Sequence, residues 1–203
     1  MSTDRMEAFS DGVIAILITV MVLELHTPHG TSWDALRDAL PILLTYVLSF
    51  VYLGIYWNNH HHMLAVVSRV SGLALWANLH LLFWLSLIPF TTAWLSENDF
   101  ATAPTAAYGI VLLCAALAYY ALQTALVRAE GGGSVLAAAV GTDIKGKISP
   151  VLYSLGIGLS FVNRWFSIAV YVVVALMWLV PDQRVERAVA AAQLPEKYRR
   201  PST

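Results

Sequence analysis

The chain has 203 residues, of which 58% are apolar and only 12% charged, and its mean hydropathy of +0.65 describes a protein facing hydrocarbon over much of its length. That length holds several membrane spans and short loops but no separate soluble domain of ordinary size, and a net charge of -1 supplies no basic field for nucleic acid. A single cysteine, Cys114, excludes an intrachain disulfide and a zinc cysteine cluster.

A spanning helix needs about 20 residues, each rising about 1.5 Å, to cross roughly 30 Å of hydrocarbon. Residues 6–26 form the first such segment, opened by Ser10 and Asp11 and then uncharged from Val13 to Leu23. Residues 1–4 carry no basic cluster and no Ala-x-Ala site follows, so this segment is expected to stay in the protein and not to be cleaved as a signal. Residues 40–58, 70–95 and 106–127 are the second, third and fourth spans. Residues 130–147, with the run Gly131-Gly132-Gly133-Ser134, read as a flexible connection. The apolar stretch 148–180 is too long for one span and is interrupted by Asn163-Arg164. It predicts a tight hairpin of two short spans, 148–162 and 165–180, accommodated by tilt or local thinning of the bilayer. The expectation is an all-α integral membrane protein with six transmembrane helices in one domain, residues 1–181, followed by a cytoplasmic polar tail, 182–203.

Orientation follows from the basic residues near the ends of the spans. With the N-terminus inside, Arg5, Arg69, Arg128, Lys145, Lys147, Arg184, Arg187, Lys197, Arg199 and Arg200 lie inside, and only Arg37 and Arg164 outside. Both termini are therefore expected in the cytoplasm. Lys197, Arg199 and Arg200 either meet anionic lipid or serve only to favour this orientation.

Drawn at about 100° per residue, the first helix gathers Phe9, Gly12, Ile16, Val20 and Leu23 on one stripe, with Thr19 at its border and Asp11 on the far side. The apolar stripe faces lipid or packs on a neighbour, and the opposite face has to hold a carboxylate. A carboxylate buried without donors would be strongly unfavourable. Donors exist at the same depth: Trp57 and His60 near the inner end of the second span, Asn78 and His80 in the inner half of the third. Ser10, Asp11, Trp57, His60 and Asn78 are thus expected to form a hydrogen-bonded network that fixes three helices relative to one another, with Arg5 near Asp11 or a helix-end acid. The run His60-His61-His62 does not predict a metal site, because consecutive helical residues diverge by about 100° and no further ligand follows at metal spacing. One histidine is expected to join the network while the others meet water or headgroups.

These residues carry a resemblance. Arg5-xxx-Phe9-Ser10-Asp11-Gly12-Val13, followed by Ala15-Ile16, Thr19 and Leu23-Glu24, closely resembles the signature that opens each repeat of the transmembrane protein 175 family of lysosomal and prokaryotic potassium channels. Trp57-x-x-His60 is similar to that family's second-helix motif, and Asn78 with Pro89-Phe90 to its third helix. The resemblance is specific over the first three spans and extends beyond residue 95 only by hydropathy and segment number.

The resemblance implies a six-helix repeat whose first helix lines a central pore, one repeat per chain in prokaryotic relatives, and a homotetramer. It implies a potassium-selective or potassium-preferring cation channel of a prokaryotic cell membrane, with permeating potassium ions and no other cofactor. Its constriction residue carries over to Ile16, with Val20 and Leu23 as further rings toward the outside. Such a neck closes by dewetting, since an apolar ring cannot replace an ion's hydration shell. Val20 stands where some relatives carry leucine or isoleucine. Thr19 matches a threonine tied to ion preference; its hydroxyl either offers oxygen to a cation or bonds the Ala15 carbonyl. Glu24 at the outer mouth either concentrates cations or is simply solvated. The alternative is a secondary transporter, which would show paired repeats with broken helices; Pro89 interrupts one span and no matching break stands in the second half. An enzyme would need converging nucleophile, base and donors, and Ser10 beside Asp11 on one helix turn lacks that geometry.

Overall fold

A computed structural model describes residues 2–141 and 143–179, so the polar tail at 182–203 lies outside the described residues. They form nine helices: α1 (Thr3–Leu23), α2 (Trp33–Asp38), α3 (Leu40–Leu64), α4 (Gly72–Ser86), α5 (Ile88–Glu97), α6 (Thr102–Glu130), α7 (Val135–Val140), α8 (Ile144–Ser160) and α9 (Arg164–Leu179). By length and apolar composition α1, α3, the α4–α5 unit and α6 can each cross a membrane. The remaining pair is the short hairpin of α8 and α9, with 17 and 16 residues. The four long segments and the short interrupted pair expected from the sequence each have a helical counterpart, and four of these reach spanning length. The Asn163 side chain accepts from the Trp165 amide at 2.9 Å, which opens α9 at the interruption seen in the sequence.

The helices run longer or start elsewhere than hydropathy implied, for local reasons. α3 continues through His60, His61 and His62 because the polar run keeps helical hydrogen bonds to Leu64. α8 starts four residues early because Asp143 accepts from the Gly146 amide at 2.9 Å as N-cap. The third span breaks at Leu87, two residues before Pro89, whose ring lacks an N–H and crowds the carbonyl one turn back. The connections are also less bare than expected. α2 and α7 are single short turns whose N-cap serines, Ser32 and Ser134, accept from the amides three residues on.

Two cores hold the bundle. In the first, α1, α3, α4 and α6 bury Met6, Ile14, Met21, Leu64, Leu81, Leu85, Leu122 and Leu126. In the second, α3, α6, α8 and α9 bury four tyrosines, Tyr52, Tyr108, Tyr153 and Tyr171, around Leu112 and Val174. Three of their hydroxyls are spent across helices: Tyr52 donates to the Tyr171 carbonyl at 2.6 Å, Tyr171 to the Thr105 carbonyl at 3.3 Å, and Tyr108 shares a 3.0 Å bond with Ser49. The Tyr171 ring lies directly against Gly109 of α6 and Gly156 of α8, where a Cβ would collide with it. Burying aromatic bodies while partnering these three polar tips joins helices through an apolar layer.

Candidate functional site on the first helix

α1 packs against α3, α4 and α5, and this fixes which way its faces point. The buried positions Met6, Ser10, Ile14, Leu17 and Met21 recur every three or four residues, one helical stripe turned into the protein. A second stripe, about 110° round the helix, is bare in the single chain: Phe9 is 51% exposed, Ile16 61%, Val20 37% and Leu23 82%. Apolar side chains exposed in one continuous ridge mark a surface that lipid, a partner or a conduit must meet.

Polar side chains decide how α1 is turned. The buried Ser10 hydroxyl donates to the Met6 carbonyl at 2.8 Å and accepts from Asn78 Nδ2 at 2.9 Å. Asn78 Oδ1 in turn meets His60 Nε2 at 2.8 Å, so α1, α4 and α3 are tied at one level by three side chains that are almost wholly buried. A second tie runs along the α1–α3 seam: Trp57 Nε1 donates to Asp11 Oδ1 at 3.0 Å, and His61 Nδ1 lies 2.6 Å from Glu7 Oε1. The Trp57 and His61 rings stack, 6.3 Å between centroids and 22° between planes. Glu7 and Asp11 are one turn apart on α1, and Trp57 and His61 one turn apart on α3, so two i,i+4 pairs meet as a two-rung ladder.

The sequence reading foresaw neither Glu7 nor His61 in these contacts. It also placed His80 among the donors, but His80 Nε2 accepts from Trp84 Nε1 at 2.9 Å on an exposed face of α4. Among the described residues no hydrogen bond joins Arg5 to the network; it is exposed on the first turn of α1. Thr19 is exposed, and its hydroxyl donates at 2.8 Å to the carbonyl of Ile16, not to that of Ala15. Donating its proton backwards leaves its oxygen lone pairs outward. Glu24 is exposed at the C-cap of α1. A further tie holds the α3–α4 connection to α6: the Glu130 carboxylate, at the end of α6, accepts from the amides of Ser68 and Arg69 at 2.8 and 2.6 Å and from the Ser68 hydroxyl at 3.0 Å.

The arrangement can present an uninterrupted apolar ridge, with one hydroxyl beside it, while its carboxylates are drawn aside by fixed donors. Among the described residues it brings together no nucleophile, base and stabilising donor. The family model described as "Endosomal/lysosomal potassium channel TMEM175" matches residues 5–89, the stretch that carries every contact of the network. A potassium channel of Chryseobacterium sp. (strain P1-3) is 51% identical over 189 residues, covering 93% of this chain and 98% of that protein. A potassium channel of Streptomyces collinus (strain DSM 40733 / Tue 365) is 36% identical over 202 residues, covering 93% and 97%. The fold is similar to the crystal structure of a lysosomal potassium-selective channel TMEM175 homolog from Chamaesiphon minutus, with a TM-score of 0.75 and 30% identity over 89% of this chain and 97% of that one.

Proposed function

Since the chain belongs to the TMEM175 family of channels, we propose that it conducts potassium through a pore that four copies build around a common axis, each lining it with α1. The observation that carries this reading is the opposition of faces on α1. The ridge of Phe9, Ile16, Val20 and Leu23 is exposed, while Glu7 and Asp11 are held against α3 by His61 and Trp57. A helix turned this way offers a permeating ion no fixed charge over its apolar length.

On this reading four Ile16 side chains meet at the axis as a hydrophobic neck, and Val20 and Leu23 make wider rings toward the outside. Water leaves so narrow an apolar ring readily, and an ion that cannot keep its hydration shell does not pass. Conduction then requires α1 to move outward or turn. Thr19, its proton committed to the Ile16 carbonyl, offers lone pairs to a partly dehydrated cation just beyond the neck. Four Glu24 carboxylates at the outer mouth raise the local cation concentration. The Ser10–Asn78–His60 chain and the Asp11–Trp57 bond act as positioning groups that set the angle of the ridge. The bias of basic residues supports a reading with both termini in the cytoplasm, and the bacterial relatives support a prokaryotic cell membrane. The partners are other copies of the chain, membrane lipid and the permeating ion, and the pore needs no bound cofactor.

The test is flux from reconstituted vesicles under potassium and sodium gradients, with Ile16→Asn beside the parent protein. A polar ring should wet the neck and raise potassium flux severalfold, and cross-linking should report four chains. Unchanged flux with Ile16→Asn, or ridge side chains labelled by a lipid-restricted probe in the assembled protein, would overturn it.

A further inference from the structure

A furrow of about 360 Å³ runs between α3 and α9, and no residue of α1 lines it. On α9 its wall is Ile168, Val172, Ala175 and Leu179, which recur every three or four residues. At about 1.5 Å per residue this stripe extends about 16 Å, half of the roughly 30 Å of hydrocarbon and so the depth of one leaflet. The floor, with Leu95, Tyr108 and Tyr171, is buried, while the rims at Leu44, Val47 and Leu176 are exposed.

Only Thr45, Tyr108 and Tyr171 bring side-chain polar atoms to the wall, and each hydroxyl is bonded within the protein: Thr45 to the Pro41 carbonyl at 2.7 Å, Tyr108 to Ser49 Oγ at 3.0 Å and Tyr171 to the Thr105 carbonyl at 3.3 Å. An apolar chain therefore lies there at no polar cost, whereas a polar guest would give up its own partners. Charge enters at one end. Arg164 stands one turn before Ile168 on the same stripe of α9, and the Phe100 ring, part of the furrow wall, lies 5.4 Å from that of Trp165. Thr102, Asn163, Arg164 and Trp165 line a polar mouth at this end, and no carboxylate lines it. Arg164 is exposed and makes no ion pair among the described residues; its guanidinium sits 5.7 Å from the centre of the Trp165 ring. Tryptophan is a residue type that settles at headgroup depth, and Arg164 is one of only two basic residues on the side of the membrane that the charge bias leaves poor in them.

We propose that the furrow and its mouth bind an anionic glycerophospholipid of the leaflet at that end, the outer one in the orientation given above, with one acyl chain along α9 and its phosphate on Arg164. A guanidinium fork matches phosphate oxygens in charge and shape. Because no carboxylate lines the mouth, the ammonium of a zwitterionic head group finds no partner there, and a net negative lipid is preferred.

The experiment is photolabelling of the full chain in phosphatidylcholine vesicles that carry a trace of either phosphatidylglycerol or phosphatidylcholine with a diazirine in one acyl chain, the adducts being mapped by peptide mass spectrometry. Both lipids are expected to label residues 44–51 and 168–179, phosphatidylglycerol about fivefold more, the usual worth of one basic residue toward an anionic lipid. Arg164→Gln should bring phosphatidylglycerol down to the phosphatidylcholine level in the furrow, and Arg164→Lys should keep the excess. Val172→Trp, which fills the furrow from its rim, should remove the label of both. Equal labelling of the furrow by the two lipids in the parent protein overturns the proposal without recourse to any variant. So does an excess that persists in Arg164→Gln, or a furrow that neither lipid labels, as when a second copy of the chain fills it. Ile16→Asn, in the proposed pore, leaves the furrow label unchanged. Label on the α1 ridge is read from separate peptides, so failure of the lipid site and failure of the pore are told apart.

Discussion

Replacing Asn78 by leucine tests the polar chain that sets the angle of α1. The two side chains are similar in volume, so the substitution removes two hydrogen bonds, to Ser10 Oγ and His60 Nε2, without opening a large void. Ser10 keeps its bond to the Met6 carbonyl and is not orphaned. His60 fares worse, because its Nδ1 already lacks a partner and Nε2 now loses its own. Inter-helix hydrogen bonds in membrane proteins average about 0.6 kcal/mol each, and a buried polar group left unpaired costs at least about 1 kcal/mol more. Two bonds and one orphan therefore sum to about 2 kcal/mol. The assay is reversible unfolding in mixed micelles, run as a double-mutant cycle with Ser10→Ala. Ser10→Ala should cost about 1 kcal/mol in the parent, where it strands Asn78 Nδ2, and close to nothing on the Asn78→Leu background, where that partner is gone. A cycle that closes additively, or an Asn78→Leu cost below about 0.5 kcal/mol, would refute the idea that these three buried side chains act as one unit.

Other consequences can be measured in the same system. Gly109→Ala pushes a methyl into the Tyr171 ring, 2.6 Å from Cζ, and Ile157, 2.9 Å from Cγ1; the expected loss is about 1–3 kcal/mol, against less than about 0.5 kcal/mol for Gly158→Ala, whose added Cβ meets nothing within 4 Å. Tyr52→Phe removes the 2.6 Å bond to the Tyr171 carbonyl and should cost about 1 kcal/mol in thermal or denaturant unfolding. Glu130→Ala should speed hydrogen exchange at the Ser68 and Arg69 amides by an order of magnitude or so while leaving the α1 amides unchanged; equal exchange at those two amides would rule out the clamp.

Spans, their order and the turn between α8 and α9 were legible because hydrocarbon imposes one long period on the sequence. The ridge on α1 was legible too, since Phe9, Ile16, Val20 and Leu23 keep helical spacing and Asp11 opposes them. Other features were hidden for different reasons. α2 and α7 have six residues each, shorter than any window tuned to spans, and only their serine caps announce them. The Glu7–His61 contact had a signal, the matching one-turn spacing of Glu7 with Asp11 and of Trp57 with His61, which a search for one network histidine passes over. His80 misled because nearness in sequence to Asn78 says nothing of facing; two residues along a helix is a turn of about 200°. Tyr171 against Gly109 and Gly156, and Glu130 on residues about sixty positions earlier, depend on which helices become neighbours, and no local pattern encodes that.

The Glu130 clamp grips main-chain amides at Ser68 and Arg69, together with one hydroxyl. What it requires of position 69 is a peptide N–H and nothing of the side chain. That site should therefore accept almost any amino acid in related sequences, proline excepted, while an acid at position 130 is retained: a stretch of chain whose shape is inherited although its lettering drifts.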